Sequence, residues 1–351
     1  MKRVLNFISF ILIGLFLIGC SSNDKLGDYS VAVIETTSNV EKSLVTYYDG
    51  DLKKINSKFL DYAELGTNFY NPIYHDDQVY LVPRGLQGKH DEKKVISLNL
   101  ADGENTEYDV NRNNIICTAT NEDYLFAGSN LNAVSYLTRI KYEDKSEKEI
   151  AFENEYLHLV VVSDQYVIVF LTSATAGYEN TYSKINVYDI DSFELKKSID
   201  ITELGITQTK YCLNNNNLYF SNAYDKNDEA TNVLGVLNLN DLSLSEIALE
   251  CDYPDDIQYL SEDKLLISCT DVVRSDGTKV IELDTKTGEQ TIYDLGVPIL
   301  NIKVSKNKLF VLSSEYILNV YSIDDGMKLI DSTKHKLTEG NYCSAIFTND
   351  E

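Results

Sequence analysis

A polar pair followed by an apolar, strand-type run recurs six times at nearly even spacing. It reads Asp77-Gln78-Val79, Glu122-Asp123-Tyr124, Asp164-Gln165-Tyr166, Asn216-Asn217-Leu218, Asp263-Lys264-Leu265 and Asn307-Lys308-Leu309. The steps between the apolar starts are 45, 42, 52, 47 and 44 residues. A fixed period in the forties means one supersecondary unit repeated along the chain, with each unit too small to bury its own apolar faces.

Each repeat divides into four strand-like stretches. In the last full repeat these are Ile299–Val304, Leu309–Leu312, Ile317–Ile323 and Met327–Asp331. Asp324-Asp325-Gly326 joins the last two as a hairpin, and Ala101-Asp102-Gly103 and Thr285-Lys286-Thr287-Gly288 stand at the same phase. Pro72, Pro254 and Pro298 each precede the first stretch of a repeat, where proline removes no ladder bond. Four strands at this period predict a β-propeller.

The two ends complete each other. Tyr342–Phe347 reads as a further innermost strand with nothing after it but Thr348-Asn349-Asp350-Glu351. Tyr29–Ile34, Leu44–Tyr48 and Lys53–Lys58 supply the second, third and fourth strands of that blade. The expected fold is therefore all-β: a seven-bladed propeller over residues 28–351, one blade closed by N- and C-terminal strands, so that no inner edge is left free. The polar-pair turns and hairpins such as Asp284-Thr285-Lys286-Thr287-Gly288-Glu289 resemble those of the YVTN/WD40-like seven-bladed propellers of bacterial envelope proteins. The chain has no tryptophan, which removes the tryptophan-docking motifs of quinoprotein-like blades and the Trp-Asp ending of WD40 repeats. Ser275-Asp276-Gly277-Thr278 is only a fragment of the sialidase box.

Met1-Lys2-Arg3 is a basic start, followed by an apolar run, Val4–Gly19, of 16 residues. That is short for a span of about 20 residues and suits a secretion signal. The run ends in Leu17-Ile18-Gly19-Cys20, which resembles the bacterial lipobox. The resemblance implies a signal peptide over 1–19, diacylglycerol on the Cys20 sulfur, a tether over 20–27, and a location at the extracytoplasmic face of the cell membrane or the cell surface. Removing Lys2 and Arg3 leaves 29 cationic side chains against 55 acids, a formal charge of −26. A chain this acidic repels phosphate backbones, so nucleic acid is not an expected partner.

Besides Cys20 there are Cys117, Cys212, Cys251, Cys269 and Cys343, with no zinc-type spacing. They read as buried free thiols; Cys251 and Cys269, at one boundary between blades, are the pair for which a disulfide stays open. No nucleophile elbow, phosphate loop or metalloprotease helix is present, and no cofactor or metal is expected. The acids Asp225, Asp228, Glu229, Asp252, Asp255, Asp256, Asp271 and Asp276 read as a solvated acidic rim rather than a calcium site.

In a four-stranded blade the loops between second and third strands share a face with the loops between blades. Here that face has the long segments Arg84–Lys94, Thr172–Ser183, Asn222–Asn232 and Cys269–Lys279. Function concentrates on such loops. The face is also expected to carry Arg84, Arg112 and Arg274, with Tyr178, Tyr182 and Tyr224 as further ligand-binding candidates and Tyr70 and Tyr253 nearby. Guanidinium forks and tyrosines suit an acidic glycan or a peptide. The expected function is a lipid-anchored binding module for an envelope protein segment or polysaccharide. The alternatives are an extracytoplasmic enzyme, lactonase-like or glycan-cleaving, using His158 with acids lining the channel, and an assembly factor that holds unfolded strands on its sheet edges.

Overall fold

Alternating strands and tight turns build seven four-stranded antiparallel sheets, the blades of a β-propeller. The structure is a computed structural model and describes residues 25–38, 40–84, 93–174, 181–206 and 208–350. Cys20, and residues 85–92 and 175–180 of two long segments, Tyr178 included, lie outside the described residues. Blade 1 runs from the centre outward as Tyr342–Thr348, Val31–Thr36, Ser43–Tyr48 and Lys54–Leu60, so the two ends of the chain share one sheet. Blades 2 to 7 begin with innermost strands Ile73–His75, Ile115–Thr120, Glu155–Val162, Tyr211–Asn214, Pro254–Ser261 and Ile299–Ser305.

The closing register sets Ala32 opposite Phe347 and Val33 opposite Ile346, with a bulge beyond Ile34. Every residue of Val31–Thr36 is buried. Such a strand has two apolar faces because it packs on a neighbouring blade from each side. Val31 and Val33 enter the core shared with blade 7. Ala32 and Ile34 enter the core shared with blade 2. The described residues form seven such apolar clusters, one at each boundary between blades. Outer strands face water, and Lys328–Lys334 is exposed along nearly all its length.

The closure also has a polar clasp. Glu35 is fully buried and accepts the Thr338 amide at 3.0 Å and the Thr338 hydroxyl at 2.5 Å. His335 Nε2 lies 3.4 Å from the same carboxylate, and His335 Nδ1 is 2.7 Å from the Tyr48 hydroxyl. Burial alone would raise the Glu35 pKa, but the contacts from His335 and Thr338 outweigh it and hold the carboxyl below its ordinary value.

The polar pairs overlap the turns between first and second strands, and in four blades the second residue of the pair (Gln78, Asn217, Lys264, Lys308) already opens the second strand. Asp76 and Asp77, Asn215 and Asn216, and Lys306 and Asn307 all have positive φ. Two-residue hairpin turns whose twist matches the strands require that conformation, and Asn and Asp tolerate it best among side-chain-bearing residues. The Cys269–Lys279 segment is less of a loop than its sequence suggests, since strands run to Asp271 and resume at Asp276. Cys117, Cys212, Cys251, Cys269 and Cys343 are all buried free thiols, Cys251 and Cys269 included. Burial pushes the thiols of Cys117 and Cys343 up to about 12.

Candidate functional site

Two arrangements of polar side chains stand out, one on the long-loop face and one inside the channel. The first lies where blades 5 and 6 meet. The loop 222–232 folds on itself through a Tyr224–Ala230 bridge, and Asp225 caps it by accepting the amides of Asn227 and Glu229. The Tyr224 hydroxyl donates to Asp271 Oδ1 at 2.5 Å. That oxygen also accepts the Val273 and Arg274 amides, each at 3.0 Å. The Arg274 guanidinium lies 3.3 Å from Asp271 Oδ2 while its side chain remains 72% exposed. Tyr253 packs edge-on to Tyr224 with 5.5 Å between ring centroids.

Tyr253 has φ 60. A bulky residue in the left-handed region is uncommon and costs roughly 1–2 kcal/mol. The cost is offset by backbone bonds on both sides of it, from the Tyr253 amide to the Thr231 carbonyl and from the Thr270 amide to the Tyr253 carbonyl, each 2.8 Å. Asp271 is itself buried, which alone would raise its pKa; the Tyr224 hydroxyl, two backbone amides and Arg274 reverse the shift and keep it ionised. A fixed carboxylate thus aims one side of an exposed guanidinium inward and leaves its remaining donors to solvent, beside two tyrosine rings.

The second arrangement closes the channel. Residues 64–66 pair with 82–84 through the Leu65–Pro83 bridge and the flanking backbone bonds Gly66 N to Val82 O and Arg84 N to Glu64 O. The chain then turns, and Tyr70 packs against the cores of blades 3, 4 and 5. Next to it Asn71 Nδ2 donates to Asp256 Oδ1 of blade 6 at 2.7 Å, across the channel. A small cavity of about 40 Å³, lined by Tyr70, Arg84, Cys117 and Lys210 among others, lies on one side of this barrier. On the other side a cavity of about 650 Å³ includes Tyr74, Tyr211, Gln258, Tyr259 and Lys303 in its lining. Asn71, Pro72, Ile73 and Tyr211 line both. Among the described residues, the channel is therefore stopped on the long-loop side and opens among the first-to-second-strand turns.

Lys210 stands at this barrier with a fully buried side chain, 2.8 Å from Asp255 and 3.9 Å from Asp256. Gln258 Nε2 donates to Asp256 Oδ1 at 2.7 Å. Burial works against the Lys210 charge, but the two carboxylates outweigh it and raise its pKa. Burial pushes Asp255 up to about 6 against the pull of Lys210, and the adjacent Asp256 charge adds to the rise. Asp255 and Asp256 are thus buried partners of a lysine, not members of a solvated rim. Lys210 precedes the innermost strand of blade 5 and Asp255 is the second residue of that of blade 6, 45 residues on. One blade period separates them, and that spacing was the available signal.

The remaining expected site residues are dispersed. Arg112 forms a two-point ion pair with Glu149 and lies over the Tyr136 ring at 3.7 Å. Tyr182 donates to Glu155 at 2.6 Å, and Lys184 meets the same carboxylate at 2.5 Å. Arg84 lines the small cavity. His158 is the bulged residue of the blade 4 innermost strand. Desolvation lowers its pKa to about 4, and its buried Nε2 has no hydrogen-bond partner. It is not part of the lining of either channel cavity. Among the expected residues, then, Arg274 and Tyr224 come together, with Tyr253, while Arg112 and Tyr182 are engaged elsewhere.

No family model matches the chain, and no curated protein matches it. Solved structures do. A putative 6-phosphogluconolactonase from Bacteroides fragilis NCTC 9343 superposes with a TM-score of 0.61 at 14% identity, covering 93% of this chain and 99% of that one. A functionally unknown protein from Desulfotomaculum acetoxidans DSM 771 gives 0.58 at 11% identity, covering 91% and 99%. Kluyveromyces lactis Hsv2 gives 0.53 at 12% identity, covering 79% and 85%. At such identities the likeness is one of fold alone.

Proposed function

We propose that this chain is a lipid-anchored, extracytoplasmic binding module, held by Cys20 and taking an acidic protein segment or polysaccharide on its long-loop face. The observation that carries the reading is the fixing of Arg274 by Asp271 beside Tyr224 and Tyr253. An exposed guanidinium, preorganised by a buried carboxylate and flanked by two rings, suits carboxylates and the apolar faces of sugars or peptides. Arg84, Arg112 and Tyr182 are read as more distant members of the same face; Tyr178, expected there from the sequence, lies outside the described residues. In a mature chain of charge −26 this face is where an acidic ligand would meet fixed cations.

Glycan and peptide arrays probed with residues 20–351 test the reading. Arg274→Ala is expected to weaken binding about 10-fold or more, the effect of losing a charged hydrogen bond worth roughly 1.5–3 kcal/mol. Arg112→Ala, already committed to Glu149, is expected to change it little. Turn-face substitutions that abolish binding while Arg274→Ala keeps it would reject this face.

A second reading, a propeller enzyme of lactonase-like or glycan-cleaving type, draws support from Asp255, whose pKa near 6 beside a buried lysine matches the perturbed acids of active sites. Hydrolysis of lactones or glycans that disappears in Asp255→Asn, in a variant that keeps the wild-type circular dichroism and melt, would favour it over the binding module.

A further inference from the structure

We infer that the propeller sits on its membrane with the turn face toward the bilayer and the long-loop face pointing away; this rests on the lipid-anchor reading of Cys20. The described chain enters the fold at the turn face. The Leu26 amide donates to the Ala101 carbonyl at 3.3 Å, in the turn between third and fourth strands of blade 2. A side chain at Gly103 of that turn would collide with Tyr47 and press on Leu26, both of which occupy the core between blades 1 and 2. Gly27 lies against Ile55, at the turn-face end of the blade 1 outer strand. From there Val31–Thr36 climbs toward the long loops. The entry point is thus pinned by a hydrogen bond and by burial of Leu26 to 4% exposure.

Four residues lie between Cys20 and Lys25, so five residue-to-residue steps separate them. At about 3.3–3.6 Å per residue that stretch reaches at most about 18 Å. The two faces are separated by the strands themselves. At about 3.3 Å per residue, strands the length of Val31–Thr36 to Asp276–Asp284 put about 20–30 Å between them. A tether leaving the turn face is therefore used up before it can pass the rim and lay the long loops on the bilayer. Electrostatics does not draw the turn face into closer contact with anionic headgroups, since its turns carry more acids, Asp77, Asp123, Asp144, Asp164, Asp263 and Asp325 among them, than lysines, Lys145, Lys286, Lys306 and Lys308 among them. The tether, rather than adhesion, sets the orientation. Arg274 and its tyrosines are then held away from the headgroups of the anchoring membrane.

The test attaches residues 20–351 through Cys20 to maleimide-lipid vesicles, either of phosphatidylcholine alone or with about a third phosphatidylglycerol. The five other thiols are buried and leave Cys20 as the reactive one. An azide-bearing residue at Val273, on the long-loop face, or at Asp325, on the turn face, is coupled to a donor dye, with acceptor dye in the lipid. Energy transfer is expected to be several-fold greater from 325 than from 273, in both vesicle types and at high salt. Equal transfer, or greater transfer from 273, would overturn the inference. Because coupling is chemical, failure here is distinct from failure of the anchor itself. Mass spectrometry of the native membrane fraction reports that separately, through a lipid-modified or unmodified Cys20.

Discussion

Asn71 and Asp256 are 185 residues apart and meet across the propeller channel in a 2.7 Å hydrogen bond. The bond joins the entry of blade 2 to the innermost strand of blade 6, and Asp256 also accepts from Gln258 and lies near Lys210. This buried polar knot ties together parts of the ring that contact between adjacent blades alone would not connect. Its charges have no water to fall back on, so it is sensitive to loss of any one member.

Lys210→Ala is expected to destabilise the fold by about 3–5 kcal/mol, because it leaves two buried carboxylates without their cation. Lys210→Met combined with Asp255→Leu is expected to cost much less than Lys210→Ala alone. Urea denaturation of the three proteins measures this. Equal losses in the single and double variants would mean that packing, not charge pairing, sets the cost.

Acid should loosen the ring closure through Glu35. Its folded pKa is depressed, so its contribution is complete above the unfolded value of about 4.3 and is lost as pH falls through the lower folded value. Glu35→Gln is therefore expected to melt lower than wild type at pH 6–7 and to approach it as pH drops below about 4. Melting temperatures across pH 3–7 decide the matter, and a gap that widens in acid would contradict it.

Deleting residues 341–351 removes the innermost strand of blade 1 and takes Ala345, Ile346 and Phe347, each no more than 1% exposed, from two cores. At roughly 1.5–3 kcal/mol for each large apolar side chain, this alone approaches typical domain stability. The truncated protein is expected to lose its cooperative melt by circular dichroism. A preserved transition at the same temperature would show that the tail is dispensable.

The five propeller thiols are expected to resist aromatic disulfide reagents in the folded protein and to react together on unfolding. Burial holds Cys117, Cys269 and Cys343 far from the thiolate state. Thiol titration with and without denaturant measures the count. Two fewer reactive thiols in denaturant without reductant would reveal a Cys251–Cys269 bond.

The sequence by itself determined the ring. Polar-pair turns at a period in the forties, prolines at one phase and complementary strands at the two ends are local or periodic signals. Blade geometry converts them directly into register: the expected strands Ile299–Val304 and Ile317–Ile323 match Ile299–Ser305 and Ile317–Ser322. The five thiols were legible for the same reason, since position within a blade fixes burial. Only the tertiary structure decided what meets what across the ring. Asp255 and Asp256 read as solvent-facing acids until Lys210, one blade away, is seen buried against them. Arg112 and Arg274 look equivalent in sequence, yet one is consumed by Glu149 and the other is held outward by Asp271. The barrier made by Tyr70 and Asn71 has no periodic signal, because it departs from the repeat. Contacts of this kind depend on how seven sheets converge on one axis, and that convergence is a property of the closed ring rather than of any single blade.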